Sequence, residues 1–318
     1  LLIPKLIFLS LLACCWSGQL SAQGMSLQTL VPVESGVPLV RIFGHSLDRE
    51  GGLLAVGAPG NLNFNVGSGP AGGVFVYQRQ PNASFAFEQF LQAPTPALDD
   101  AYGYAVELTP AQMVVGAPFS NTIGPNRGRV YAYTRAGASY GTPQVIDPGL
   151  AVNNDALFGS SLAIDAGWLA VGAPRSSTSG LGGQVQLYRF DGDFEIWVYH
   201  SSVGLPTASN GALFGSRVLL RGDRLLVGAP QENVGEGWVY ECQRSGAGAG
   251  ASWGFRQRFR AAGAGANFSY FGESLSLNAA ATTLAVGQPG SPGVNGKVFL
   301  FERDGSGNWA DAGSLQIL

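Results

Sequence analysis

Five times along the chain the same sequence of apolar and polar positions returns. Each unit opens with an aromatic residue and a glycine, follows with a short alternating strand, turns sharply, and enters an apolar strand. That second strand closes on Val-Gly-Ala-Pro. The copies are Phe43-Gly44-His45-Ser46-Leu47 with Leu54 to Pro59, and Tyr102-Gly103-Tyr104-Ala105-Val106 with Met113 to Pro118. Then come Phe158-Gly159-Ser160-Ser161-Leu162 with Leu169 to Pro174, and Phe214-Gly215-Ser216-Arg217-Val218 with Leu225 to Pro230. The fifth is Phe271-Gly272-Glu273-Ser274-Leu275 with Leu284 to Pro289, where Gln288 stands in place of the alanine. Units therefore begin near 43, 102, 158, 214 and 271, spaced 59, 56, 56 and 57 residues apart.

A glycine-rich stretch and a third strand with period-2 alternation complete each copy: Gly73–Tyr77, Gly128–Tyr133, Gly183–Tyr188, Gly237–Tyr240 and Gly296–Phe301. A more polar fourth strand follows, as in Phe87–Leu91, Ile196–Tyr199 and Phe255–Phe259. Four short antiparallel strands per unit, repeated in series, predict an all-β fold: a β-propeller of four-stranded antiparallel blades. Small residues in Val-Gly-Ala-Pro suit strands crowded near an axis, and its proline, lacking an N–H, ends the ladder. The aromatic ring is expected between neighbouring blades, beside a glycine that permits close backbone approach. One blade cannot cover both faces of its sheet, so the copies come in series.

Composition agrees. Glycine supplies 47 of 318 residues and charged residues only 12%, which favours turns and strands over helices. A net charge of −3 without basic runs excludes the electrostatic footprint of a nucleic-acid binder. After the N-terminus no apolar run is long enough to span a membrane. Residues 1–22 read as a signal peptide: Lys5, an apolar run to Leu12, then small and polar residues, with cleavage after Ala22. Leu11-Leu12-Ala13-Cys14 gives a second reading, a bacterial lipobox with a lipid anchor at Cys14. Either places the mature chain, 23–318 if cleavage follows Ala22, outside the cytoplasm, secreted or in the cell envelope. Cleavage after Ala22 leaves only Cys242, which cannot form an internal disulfide.

These five phased copies resemble FG-GAP repeats, similar to the β-propeller head of integrin α subunits and closer still to exported bacterial FG-GAP proteins. The resemblance covers about residues 26 to 318. It implies an extracellular binding or adhesion scaffold, not an enzyme, recognising a protein or glycan ligand. The candidate recognition loops are Asn61–Pro70, Phe119–Arg127, Arg175–Leu181, Gln231–Glu236 and Gly290–Asn295, which vary while the strands repeat. The resemblance would also imply calcium in Asp-x-Asp-x-Asp-Gly turns. Here the corresponding turns, Asp48–Gly52, Thr109–Gln112, Asp165–Gly167, Arg221–Asp223 and Asn278–Thr283, lack the carboxylates, and Asp191-Gly192-Asp193 is too short. No metal or cofactor residue is assigned. Arg221-Gly222-Asp223 reads as a hairpin turn and not as a recognition tripeptide. Asn82-Ala83-Ser84 and Asn267-Phe268-Ser269 fit the glycosylation sequon.

No catalytic motif appears, and no catalytic residue is assigned from sequence. His45 occupies a position filled by Tyr104, Ser160, Ser216 and Glu273 in the other copies, and His200 is expected to be exposed on a fourth strand. Asp99-Asp100 reads as a solvated connection. The alternative is an enzyme, or an enzyme's accessory domain, with a site at the propeller axis. Carboxylates clustered at one mouth of the channel would favour it. Passive envelope structure is a third reading. Ser26–Leu30 nearly repeats Ser314–Leu318, which gives one fourth strand too many and predicts an incomplete larger ring, as in the seven-bladed integrin head; a chain that stops at Leu318 would instead form a five-bladed ring.

Overall fold

A computed structural model describes residues 28–30, 42–60, 71–149, 152–176, 182–207, 209, 211–264, 268–290 and 295–315. All blades lie in one compact unit, Val31–Leu318; of the unit Leu1–Leu30 only Gln28, Thr29 and Leu30 are described, and they form no strand. The predicted fourth strand at Ser26–Leu30 is thus absent from its described part, and residues 1–22, with Cys14, lie outside the described residues.

The protein is an all-β five-blade propeller of four-stranded antiparallel sheets with almost no helix. Blade 1 holds β1 (Ser46–Glu50), β2 (Leu53–Ala58), β3 (Gly73–Arg79) and β4 (Phe85–Leu91). In blade 2, β5 (Ala105–Leu108), β6 (Gln112–Ala117) and β7 (Arg129–Ala136) are edged by two fragments, β8 (Ser139–Tyr140) and β9 (Gln144–Ile146). Blade 3 holds β10 (Ser161–Asp165), β11 (Trp168–Ala173), β12 (Gln184–Asp191) and β13 (Ile196–Gly204). Blade 4 holds β14 (Arg217–Arg221), β15 (Arg224–Ala229), β16 (Trp238–Ser245) and β17 (Ser252–Phe259); blade 5 holds β18 (Ser274–Leu277), β19 (Thr283–Gln288), β20 (Lys297–Arg303) and β21 (Trp309–Leu315). Strand order follows chain order in every blade.

Packing between blades follows the repeat. The opening aromatic ring lies edge-on to an aromatic of the third strand of its own blade, with centroids 5.3 Å apart for Tyr102–Tyr131, 5.5 Å for Phe214–Tyr240 and 5.6 Å for Phe271–Phe299. It also joins the preceding blade: Phe214 shares a buried cluster with Val185 and Leu187 of blade 3 and with Leu205 in the connection that follows it. Each such ring contributes about 1.5–3 kcal/mol by burial, with ~1 kcal/mol more from the ring pair. The glycine of Val-Gly-Ala-Pro is required by close approach. A Cβ on Gly57, Gly116, Gly172 or Gly228 would strike the carbonyl of Gly103, Gly159, Gly215 or Gly272 in the next blade.

Candidate functional site at the entry mouth of the axis

Each blade is entered through the same strained turn. Ile42, Ala101, Leu157, Leu213 and Tyr270, the residues before the five aromatics, all take left-handed backbone, with φ of 61, 56, 58, 56 and 57°. Such conformations cost ~1–3 kcal/mol each and persist only where the surroundings impose them. Here the reason is visible. Their carbonyls accept the N–H groups of His45, Tyr104, Ser160, Ser216 and Glu273, at 3.0–3.2 Å. The residue following each aromatic-glycine pair is thereby held at the start of the innermost strand, in the same place in every blade.

Two of the five are consumed by their own turns. Ser160 Oγ donates to the Leu157 carbonyl at 2.5 Å and Ser216 Oγ to that of Leu213 at 2.8 Å. The other three, His45, Tyr104 and Glu273, carry an imidazole, a phenol and a carboxyl. Tyr104 of blade 2 feels the charges of Arg217 in blade 4, Glu273 in blade 5 and Arg175, which follows β11 in blade 3. Burial is the main influence on Tyr104 and raises its phenol, so the hydroxyl stays a neutral donor. Its ring is stacked obliquely on His45, 4.6 Å between centroids, and edge-on to Phe119 at 5.9 Å. Burial likewise raises the Glu273 carboxyl, and Arg217 pulls the other way. Arg217 Nε donates to the Glu273 carbonyl at 3.1 Å, tying blade 4 to blade 5 at this mouth. A carboxylate of increased basicity, two guanidinium groups, a phenol and an imidazole thus converge from five blades.

Farther along the axis lies a second charged layer, at the hairpin end. Glu107 is raised well above the carboxylate range, first by burial and then by Asp48, with Arg221 opposing. Asp48 accepts the N–H of Leu108 in blade 2 at 2.7 Å, and Asp165 accepts that of Gly222 in blade 4 at 2.5 Å, with Arg221 3.7 Å away. These acids stitch one blade to the next. A cavity of about 610 Å³ opens here, lined by Glu50, Gln112, Asp165, Glu195, Trp197 and Arg221.

The other residues weighed from sequence are scattered. His200 is half-buried, not exposed: its ring lies edge-on to Trp168 at 4.8 Å and Nδ1 is 2.9 Å from Ser201 Oγ. Asp100 is 2% exposed, not solvated; burial raises it while Ser120, Asn121 and Arg129 oppose. Arg221-Gly222-Asp223 forms the hairpin between β14 and β15, with Asp223 accepting from Gln243 at 2.8 Å. Cys242 is buried in the junction between blades 3 and 4, its thiol pushed up to about 12 by burial and Glu241. Asn82 sits in an exposed turn and Asn267 lies outside the described residues, as do all or part of the loops at 61–70, 177–181 and 291–294. Sequence reading noted His45, Tyr104 and Glu273 only as variable fillers of one repeat position. The usable signal is that variability itself, set against the constant glycine just before it.

No model of a known protein family matches the chain. Solved structures do resemble it. The periplasmic gluconolactonase of Pseudomonas aeruginosa superposes with a TM-score of 0.61 at 18% identity, covering 86% of this chain and 72% of that one. A putative 6-phosphogluconolactonase of Bacteroides fragilis gives 0.57 at 9%, covering 86% and 71%, and a protein from Lactobacillus plantarum gives 0.55 at 15%, covering 84% and 69%. At such identities the likeness shows the fold. These findings correct the FG-GAP, integrin-like expectation, and with it the reading as a non-enzymatic adhesion scaffold. The repeat motif answers the packing needs of a tight blade junction, which propellers of unrelated function share, so it reports architecture and not adhesion.

Proposed function

We propose that the chain is a hydrolytic propeller that opens the ring ester of a sugar-acid lactone at the entry mouth of its axis. The observation that carries this reading is the gathering of Tyr104, Arg175, Arg217 and Glu273 from four blades into one electrostatic neighbourhood, beside His45. The likeness to the gluconolactonase of Pseudomonas aeruginosa and the putative 6-phosphogluconolactonase of Bacteroides fragilis suggests the substrate class.

Lactone hydrolysis needs a base for water, donors for the carbonyl oxygen, and a proton for the departing ring oxygen. Glu273, more basic than an ordinary carboxylate, takes a proton from water as the hydroxyl oxygen adds to the carbonyl carbon. Arg217, Arg175 and the neutral Tyr104 hydroxyl stabilise the oxyanion. The carbon–ring-oxygen bond then breaks, the proton held by Glu273 passes to that oxygen, and an open hydroxy acid leaves. His45, open to solvent beside Tyr104, is placed to shuttle the proton released as the new acid ionises. The signal-peptide pattern read in residues 1–22 supports a place of work outside the cytoplasm.

The test is acid release from glucono-1,5-lactone and its five-membered isomer, followed by pH-stat. Purified protein should exceed the spontaneous rate at least about tenfold, and Tyr104→Phe should lower kcat/KM by about 10–100-fold. Acid release no faster than buffer across a panel of sugar lactones would overturn the reading.

A further inference from the structure

Four of the propeller's junctions are built alike, and the one that would follow blade 5 is not. Four hydrophobic clusters each join one pair of successive blades, from blades 1 and 2 to blades 4 and 5; among the described residues no cluster joins blade 5 to blade 1. The forward face of blade 3 shows what a finished junction requires. Ala170, Val185 and Leu187 there are 0% exposed, and Ser161 Oγ donates to the Gly215 carbonyl of blade 4 at 2.7 Å. Blade 1 repeats that bond, from Ser46 Oγ to Gly103 O at 2.8 Å.

On blade 5 the register-equivalent residues Ala285, Val298 and Leu300 are only partly buried, and Ser274 and Ser276 are exposed. Among the described residues the nearest atoms to a Cβ added at Gly287 all belong to Ser274 of its own blade, where Gly172 meets the next blade's backbone. On blade 1, Leu47 is 58% exposed, against 5, 4 and 4% for its equivalents Val106, Leu162 and Val218. The forward face of blade 5 is thus apolar, glycine-notched and equipped with a serine donor, but open.

We propose that this face is a docking socket for a further blade of the same repeat. The incoming sheet would start with an aromatic-glycine pair, its glycine carbonyl accepting from Ser274 Oγ and seating in the notch at Gly287. Continuity with the four finished junctions argues for that occupant. So does the greater length of the similar propellers, of which this chain covers 72, 71 and 69%. The inference is independent of the lactonase reading.

The experiment appends Leu205–Phe259, which carries the connection into blade 4 and the blade itself, after Leu318 of the full chain. Hydrogen exchange at Ala285, Val298 and Leu300 should slow at least about tenfold, with a higher unfolding midpoint. Gly287→Val should abolish that gain in the extended chain and leave the parent's midpoint within about a degree. In the parent, Gly172→Val should lower it by many degrees. If the extension misfolds, the parent pair Gly287→Val and Gly172→Val still decides, since equal losses would mean the face is already filled. A parent that sediments as a dimer with those amides protected would overturn the proposal in favour of a second copy.

Discussion

The two ends of the propeller axis are made from the same five strands and handle charge in opposite ways. At the hairpin end, Asp48 and Asp165 are each answered by a backbone N–H of the following blade, so the carboxylates act as staples. At the entry mouth, Tyr104, Glu273 and Arg217 act on one another electrostatically, and Arg217 Nε donates to the Glu273 backbone carbonyl, not to its carboxylate. An acid whose oxygens are taken up by neighbouring amides holds the fold. One whose recorded hydrogen bonds run through its backbone keeps its carboxyl available to a ligand. Charge alone does not separate these cases; partners do.

Four experiments can break or sharpen that contrast. The largest effect is expected for Glu273→Gln, which removes the proposed base: kcat/KM for the lactone should fall by about 10²–10⁴ while the unfolding midpoint hardly moves. A midpoint loss as large as the activity loss would make Glu273 a staple as well. Next comes Asp165→Ala, which strands the Gly222 N–H and frees Arg221. A loss of about 1–3 kcal/mol in urea unfolding is expected, with kcat per folded molecule unchanged.

Smaller, and opposite in sign, is Glu107→Gln. Burial and Asp48 raise the Glu107 carboxyl in the folded state, so its ionisation opposes folding. Stability from this group is fully present below the ordinary carboxylate range and is lost as pH rises toward the folded value. The variant should therefore melt higher than the parent at neutral pH and converge with it in acid; thermal scans from pH 3 to 8 would show whether it does. The smallest effect is expected from EDTA. Among the described residues no three His, Cys, Asp or Glu side chains are grouped to hold a metal ion, and the proposed steps use this chain's own groups, so dialysis should change the lactonase rate by less than about twofold. A loss restored by calcium would require an ion in the mechanism.

Much of this architecture could be read without coordinates. The 56–59-residue period, the aromatic-glycine starts and the Val-Gly-Ala-Pro strands marked the blades, because each expresses a local demand: a ring to bury, a left-handed turn to enter, a carbonyl to accommodate. The same features misled where motif was taken for family, since junction packing is common to propellers of many functions. His200 and Asp100 were misjudged for a related reason. A residue's exposure on a fourth strand or blade connection is set by which neighbour lies over it, Trp168 in one case and Ser120 in the other.

What the chain determined by itself was therefore the blade: its strands, its turns and the small residues that let a neighbour come close. What only the tertiary structure decided was the company kept at the axis. Tyr104 and Glu273 are separated by three repeats in sequence and belong to blades that do not adjoin. Their side chains share one field because successive junctions rotate each blade about a common line, bringing equivalent positions face to face. A local pattern can specify the rotation at each step, but the meeting at the centre exists only once the steps have been summed.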